Sequence, residues 1–370
     1  MNKLNLPQET FGELLPYINA ENITDINWNG EELWVDDLNK GRYKLDIKLS
    51  EKFVNNFSLK IANLMNVNFN KYLPSLEAET DNLRVSIIHE DVAKTGRSIS
   101  IRKTPAKRRM DRESMIDDGY CLAKLDNFMH NAVLAHCNIV VSGLPGVGKT
   151  EYVKTLTAYI PANERAITIE DNLEIRYREI NPGKDCVALK VDDEFTYTDA
   201  IKVCLRQKPT WILLSEARSV EVKYLLESMS TGTHCLTTIH SEDVRKIPNR
   251  IKNMMPSGES DKKVENDIFS FIDIGVLIQS NIQEDGKIKR FISQVALYST
   301  DDITGEHQTI ILYEDGRFIT EKLPSDIYRK FKMEHIINPF NEVNEKTNVS
   351  VNNAYKKKIE DSEGEVVNEE

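Results

Sequence analysis

Hydrophobic and polar positions change period along the chain. In residues 23–28, Ile-Thr-Asp-Ile-Asn-Trp, apolar side chains recur at strand-like spacing; Asn29-Gly30 supplies a turn and Leu33-Trp34-Val35-Asp36 returns. An Asn-Gly pair between two such runs is a hairpin signal, because these residues take positive φ at little cost. Phe53, Phe57, Ile61 and Leu64 recur at helical spacing, which places them on one face of an amphipathic helix. Val85 with Ile87, and Ile99 with Ile101, have the period of two of half-buried strands. Residues 1–104 are therefore expected to form a small α+β domain.

From about residue 118 the pattern becomes strand, loop, helix, repeated. Apolar strands are expected at 138–141, 166–169, 211–214 and 236–239, separated by helical stretches. That alternation predicts an α/β domain with a largely parallel sheet, over 118–344. Later strands at 272–278, 290–298 and 308–313 have hairpin-like connections such as Glu284-Asp285-Gly286. Between the two regions, residues 102–112 hold six basic residues and one proline. We read 105–117 as an interdomain linker, with a solvated connector and a phosphate- or lipid-facing segment both open. The stretch 345–370 is polar, and its last eleven residues carry six acids and no base, the composition of a disordered acidic tail.

Charge and composition narrow the function classes. Over 370 residues, 48 Lys and Arg against 59 Asp and Glu give a net charge of −11, which argues against a general nucleic-acid coat. The longest apolar run, 132–144, is interrupted by His136, Asn138 and Ser142 and falls short of the roughly 20 residues a membrane span needs. The first residues show no apolar signal-peptide core, so a cytoplasmic location is expected. Five cysteines without a C-x-x-C pair suit free thiols and offer no zinc spacing.

The chemistry begins at Gly143-Leu144-Pro145-Gly146-Val147-Gly148-Lys149-Thr150, which matches the phosphate-loop pattern G-x-x-x-x-G-K-[ST]. An apolar strand enters it, and a helix leaves with Val153, Leu156 and Ile160 on one face. Its glycines let the backbone wrap phosphates with N–H groups inward, and the helix N-terminus adds partial positive charge. Lys149 is expected to reach the β- and γ-phosphates, and the Thr150 hydroxyl to hold Mg²⁺. The nucleotide-binding set is Gly143, Pro145, Gly146, Val147, Gly148, Lys149, Thr150 and Glu151.

Binding is not hydrolysis, which also needs carboxylates to organise metal and water. The strand Trp211-Ile212-Leu213-Leu214 runs into Ser215-Glu216, and Ala166-Ile167-Thr168-Ile169 runs into Glu170-Asp171-Asn172-Leu173-Glu174. A third strand ends in Thr238-Ile239-His240. Side chains at the C-terminal ends of parallel strands converge on the ligand crevice.

In this order the segments resemble the secretion ATPase superfamily, the hexameric motors of type II and type IV secretion, type IV pili and Tad (Flp) pili. The likeness covers most of residues 20–315. The phosphate loop is similar to the family's Walker A, and Thr168 to Glu174 looks like its Asp box. Leu205-Arg206-Gln207-Lys208-Pro209 through Glu216-Ala217-Arg218 resembles the atypical Walker B, and Thr231 through His240 the His box. Two departures stand out: Ser215 precedes Glu216 where the family usually has Gly, and Thr-Gly-His reads Thr231-Gly232-Thr233, with the histidine displaced to His234.

The resemblance implies a RecA-like P-loop ATPase domain preceded by a small α+β N-terminal domain. It also implies roles: Glu174 as water-activating base, Glu216 organising Mg²⁺, His240 sensing the γ-phosphate, and Arg97 and Arg102 approaching the phosphates from the N-terminal domain. Arg206 and Arg218 fit positions near a subunit interface. The expected cofactors are ATP and Mg²⁺. The expected partners are a homohexamer and an inner-membrane platform protein, with peripheral membrane association through that partner and no direct nucleic acid. The function so implied is an ATP-hydrolysing motor of a type II/IV secretion or Tad-type pilus system. A conjugation-associated DNA translocase and a nucleotide-gated regulatory protein without turnover are the alternatives.

Overall fold

The computed structural model describes residues 6–256 and 260–343. The acidic tail expected at 345–370 lies outside the described residues.

Six strands form an antiparallel sheet: β1 (Ile23–Trp28), β2 (Leu33–Asp37), β3 (Gly41–Leu45), β4 (Ser75–Glu79), β5 (Leu83–Ile88) and β6 (Ser98–Lys103), in the order β3-β2-β1-β6-β5-β4. The turn between β1 and β2 is built as its sequence suggests. The Asn29 side chain accepts from the Glu31 and Glu32 N–H groups, and Gly30 sits at φ +103° with no room for a Cβ, which would lie 2.3 Å from the Thr95 carbonyl oxygen. The helix Glu51–Met65 starts at Ser50, whose hydroxyl accepts from the Phe53 N–H, and ends at Asn66 with φ +53°. Its buried stripe runs through Val54, Phe57 and Ile61 into one core with Ile26, Val35, Val85 and Ile101. Leu64, expected on that face, is exposed, because the stripe closes on Ile61 and Ala62 instead.

Nine further strands make the second sheet: β7 (Ile139–Ser142), β8 (Ala166–Glu170), β9 (Cys186–Lys190), β10 (Trp211–Leu214), β11 (His234–Ile239), β12 (Ile274–Ile282), β13 (Ile288–Thr300), β14 (His307–Glu314) and β15 (Arg317–Phe318). Their order is β15-β14-β13-β12-β7-β11-β10-β8-β9; the run from β12 to β9 is parallel, and β13 to β15 are added antiparallel. Every residue of β7, β8 and β10 is buried, as expected of parallel strands with helices on both faces. Two cores result, one holding Phe128, Val153 and Leu156, the other Val222, Leu225 and Ile268. The edge strand β9, Cys186-Val187-Ala188-Leu189-Lys190, is only half-buried and is not among the strands expected from the sequence.

The β12–β13 hairpin is longer than its apolar segments, with Gly286 at φ +79° in the turn. Its polar extension reaches the first sheet: the Ile288 N–H donates to the Asn39 carbonyl (2.8 Å) and Arg290 to the Leu38 carbonyl (2.9 Å). The basic run at 102–112 is not a free connector either. Arg108 donates to the Lys154 carbonyl (3.2 Å) and to the Asn181 side chain (2.7 Å), which fastens the segment to the second sheet's helices. Among the described residues, no helix is long and apolar enough to cross a membrane, and the five cysteines are unpaired.

Candidate phosphate-loop site

β7 ends at Ser142, whose hydroxyl donates to the Val276 carbonyl of neighbouring β12 (2.9 Å). The next residue must be glycine. Gly143 has φ +149°, and a Cβ there would lie 2.6 Å from the Ile278 carbonyl oxygen and 2.8 Å from Val147 Cγ2. Gly146 (φ +80°) and Gly148 (φ +95°) also take a backbone that L side chains rarely adopt, and nothing lies within 4 Å of a Cβ placed on Gly146. The helix Lys149–Thr157 begins directly after Gly148 without a side-chain cap, which leaves its first N–H groups to a ligand.

Lys149 is buried, and its Nζ donates to the carbonyls of Gly143 (3.0 Å) and Leu144 (3.2 Å) and lies 3.2 Å from His240 Nδ1. Burial pushes this ammonium below its usual range, against the opposing charges of Glu216 and Glu174. Among the described residues it pairs with no carboxylate, so the nearest strong anion has to arrive with a ligand. On the other side of the loop, the Thr150 hydroxyl donates to Glu174 Oε2 (3.3 Å). Glu151 instead pairs with Lys154 along its own helix (2.9 Å).

Glu170, at the end of β8, accepts from the N–H groups of Glu174 (3.0 Å) and Ile175 (2.8 Å) through one oxygen. Burial raises its carboxyl from 4.5 to about 7. Sequence reading took this residue as one acid of a cluster; its task is to fold the Asp-box loop back so that Glu174 faces Thr150. At the end of β10, Glu216 Oε2 accepts from Arg218 Nε (2.8 Å), and Arg218 Nη1 donates to Asp171 Oδ2 (2.8 Å). His240 Nε2 lies 2.6 Å from Glu216 Oε1, off the line of a good hydrogen bond, which leaves that buried oxygen without a donor. Ser215, in place of glycine, turns its hydroxyl toward Tyr197 (3.2 Å) and away from this cluster. Four strand ends thus converge: Lys149 after β7, Glu174 after β8, Glu216 after β10 and His240 after β11.

The N-terminal sheet contributes unequally. Arg102 Nε donates to Asp25 (2.8 Å), and although burial works against its charge, Asp25 and the field of Glu174 hold it protonated. Arg97 is not brought to the loop. Its guanidinium binds both oxygens of Glu90 (2.7 and 2.9 Å) and lies over the Phe69 ring. The reason is the strand: Arg97 precedes β6 and Arg102 nearly ends it, so they stand roughly 16 Å apart along it. His234 is also remote, since it opens β11 while His240 follows its end. There its ring lies tilted against those of His136 and Trp211, and burial drops its imidazole to about 3.

The residues present fit a nucleotide with Mg²⁺. The loop is an open cradle, Lys149 makes no direct carboxylate pair among the described residues, and the Thr150 hydroxyl and the Glu216 oxygen that lacks a hydrogen-bond donor flank it. Among the described residues no cluster of three His, Cys, Asp or Glu side chains that could form a metal cage is found.

A phosphate loop on the central strand of a parallel sheet defines a P-loop nucleotide-binding domain. The profile described as type II/IV secretion system protein matches residues 74–278, more than half the chain, and the chain belongs to that family, the secretion ATPases. An uncharacterized protein of Bacillus anthracis is 26% identical over 291 residues, 75% of this chain and 66% of that protein. The type IV secretion system protein VirB11 of Bartonella quintana is 30% identical over 159 residues, 40% of this chain and 44% of VirB11. The matches therefore span no more than about two thirds of these relatives. Among solved structures, the ATPase DotB of Legionella pneumophila superposes with TM-score 0.58 at 18% identity, covering 80% of this chain and 83% of DotB. The pilus retraction motor PilT with bound ADP gives 0.56 at 16%, covering 89% and 87%. At these identities the likeness concerns the fold: a RecA-like domain preceded by a small α+β N-terminal domain.

Proposed function

We propose that this chain is an ATP-hydrolysing motor of a type II/IV secretion or Tad-type pilus assembly system. Residues 1–104 serve as the N-terminal domain, 105–117 as the linker and 118–344 as the ATPase domain. The observation that carries the reading is the contact between Thr150 and Glu174 on one side of the loop and between Lys149 and His240 on the other. Phosphoryl transfer to water asks the protein for positioning and charge stabilisation. The loop N–H groups and Lys149 hold the β- and γ-phosphates. Thr150 and Glu216 would hold Mg²⁺, which when bound would supply positive charge to the phosphate oxygens. Glu174 orients a water and takes its proton as the water oxygen bonds to the γ-phosphorus and the bond to the bridging oxygen breaks. His240, linked to both Lys149 and Glu216, reports the state of the γ-phosphate. Arg102 stands across the cleft and adds positive charge on closure; Arg97, committed to Glu90, is given no part in this reading.

Around a homohexamer, closure and release of the two domains drive an attached inner-membrane platform protein, with the motor on the cytoplasmic face. Release of phosphate from ATP by the purified chain with Mg²⁺ tests the proposal, with Lys149→Ala as comparison. We expect steady turnover in the wild type, at least a 10-fold loss in Lys149→Ala and weaker ATP binding by that variant. Equal rates in both proteins contradict the assignment.

A further inference from the structure

The Asp-box loop is tied down at both ends, and one tie leads out of the ATPase domain. At its start, Glu170 lies opposite Lys190 in the β8–β9 register, and Lys190 ion-pairs with Glu79 at the end of β4. At its finish stands Arg176, two residues past Glu174 and immediately before the short helix Tyr177–Ile180, as its N-cap residue. Arg176 is a non-glycine residue at φ +53°, its side chain is 5% exposed, and its guanidinium donates to the Asp81 main-chain carbonyl in the β4–β5 turn. A buried cationic side chain needs partners, and the other one near Arg176, Glu179 Oε1 at 4.0 Å from Nη1, is too far to form a hydrogen bond. Arg176 Nε has no hydrogen-bond acceptor, so the Asp81 carbonyl matters the more. One hairpin of the N-terminal sheet therefore holds the far end of the loop that carries Glu174 directly through Arg176, and the strand beside its start through Lys190.

We propose that Arg176 is a positioning residue that makes water activation by Glu174 conditional on docking of the β4–β5 hairpin. The inference rests on the ATPase reading above and deepens it. Arg176 touches no reacting atom; it acts through the backbone of Ile175 and Glu174, whose other restraint is Glu170. When the N-terminal domain swings away, the Arg176 tie is lost and the Glu174 carboxylate leaves the Thr150 side of the phosphate loop. Hydrolysis then waits for closure, which prevents ATP from being spent in the open state.

Two measurements on the full chain test this. In turnover, Arg176→Ala lowers kcat at least 10-fold while the dissociation constant for a fluorescent ATP analogue stays within 2-fold, and Arg176→Lys, which retains one donor, recovers at least a third of the rate. Arg176→Gly removes the side chain while easing the positive φ, so an equal loss there excludes backbone strain as the cause. A kcat within 2-fold of wild type, or affinity and kcat falling together, overturns the proposal. In nucleotide-free protein, amide hydrogen exchange reads the tie without activity. Arg176→Ala is expected to speed exchange both at 174–175 and in the 79–83 turn. An unchanged 79–83 turn overturns the coupling whatever the wild-type turnover, whereas an inactive wild type with a coupled turn counts against the ATPase reading alone.

Discussion

Glu170 shows how one side chain can organise a site without touching the ligand. Its two accepted N–H groups turn the backbone of Glu174 and Ile175, and its burial raises its carboxyl to about 7. Between 4.5 and 7 the folded chain holds a proton there that the unfolded chain has released, so this group's stabilising contribution is full below 4.5 and declines as pH rises through that window. The slope has a ceiling of about 1.4 kcal/mol per pH unit for one proton. Glu170→Gln, which keeps the accepting oxygen and cannot ionise, is expected to flatten it; chemical denaturation of nucleotide-free protein from pH 5 to about 7.5 measures the difference. An unchanged slope removes Glu170 as its source. The role was not legible beforehand because the pattern showed an acid past a strand, while the two N–H groups it serves are set only when the loop folds back. Lys149, Thr150, Glu216 and His240 were legible, since each follows an apolar run that had to be a strand. Arg97 stands a strand's length from Arg102 and pairs with Glu90 within this chain, a separation that motif spacing does not show.

At the scale of elements, the phosphate loop is the most constrained segment. Its first glycine has no space for a methyl group against β12, while its second lies in the open. Gly143→Ala is therefore expected to cost about 2 kcal/mol or more through steric displacement, and Gly146→Ala about 1 kcal/mol through backbone strain alone. Thermal denaturation ranks the two, and a reversed order contradicts the packing described here. Strands with continuous apolar runs, β7, β8, β10 and β11, were readable because both faces are covered. β9 and the outer half of the β12–β13 hairpin were not, because an edge strand and a solvent-exposed ladder are specified by partners distant in sequence. Likewise the basic run looked like a connector, and only the fold supplies the Lys154 carbonyl and Asn181 side chain that hold Arg108.

The whole molecule joins two sheets through contacts at the turns of the first, placed to make their relative position matter. The β2–β3 turn is held by Ile288 and Arg290, and the β4–β5 turn by Arg176 and Lys190. Arg102 faces the cleft from the same sheet. The proposed conversion of phosphate-loop occupancy into domain movement requires that the loop and Glu174 serve one nucleotide. Glu174→Gln tests that proviso most directly, since it removes the base and leaves Lys149, Thr150 and the glycines intact. Paired measurements of MgATP affinity and phosphate release are expected to show affinity within about 3-fold of wild type and turnover reduced at least 10-fold, with intact ATP recovered from the protein. Turnover that survives the substitution contradicts the account.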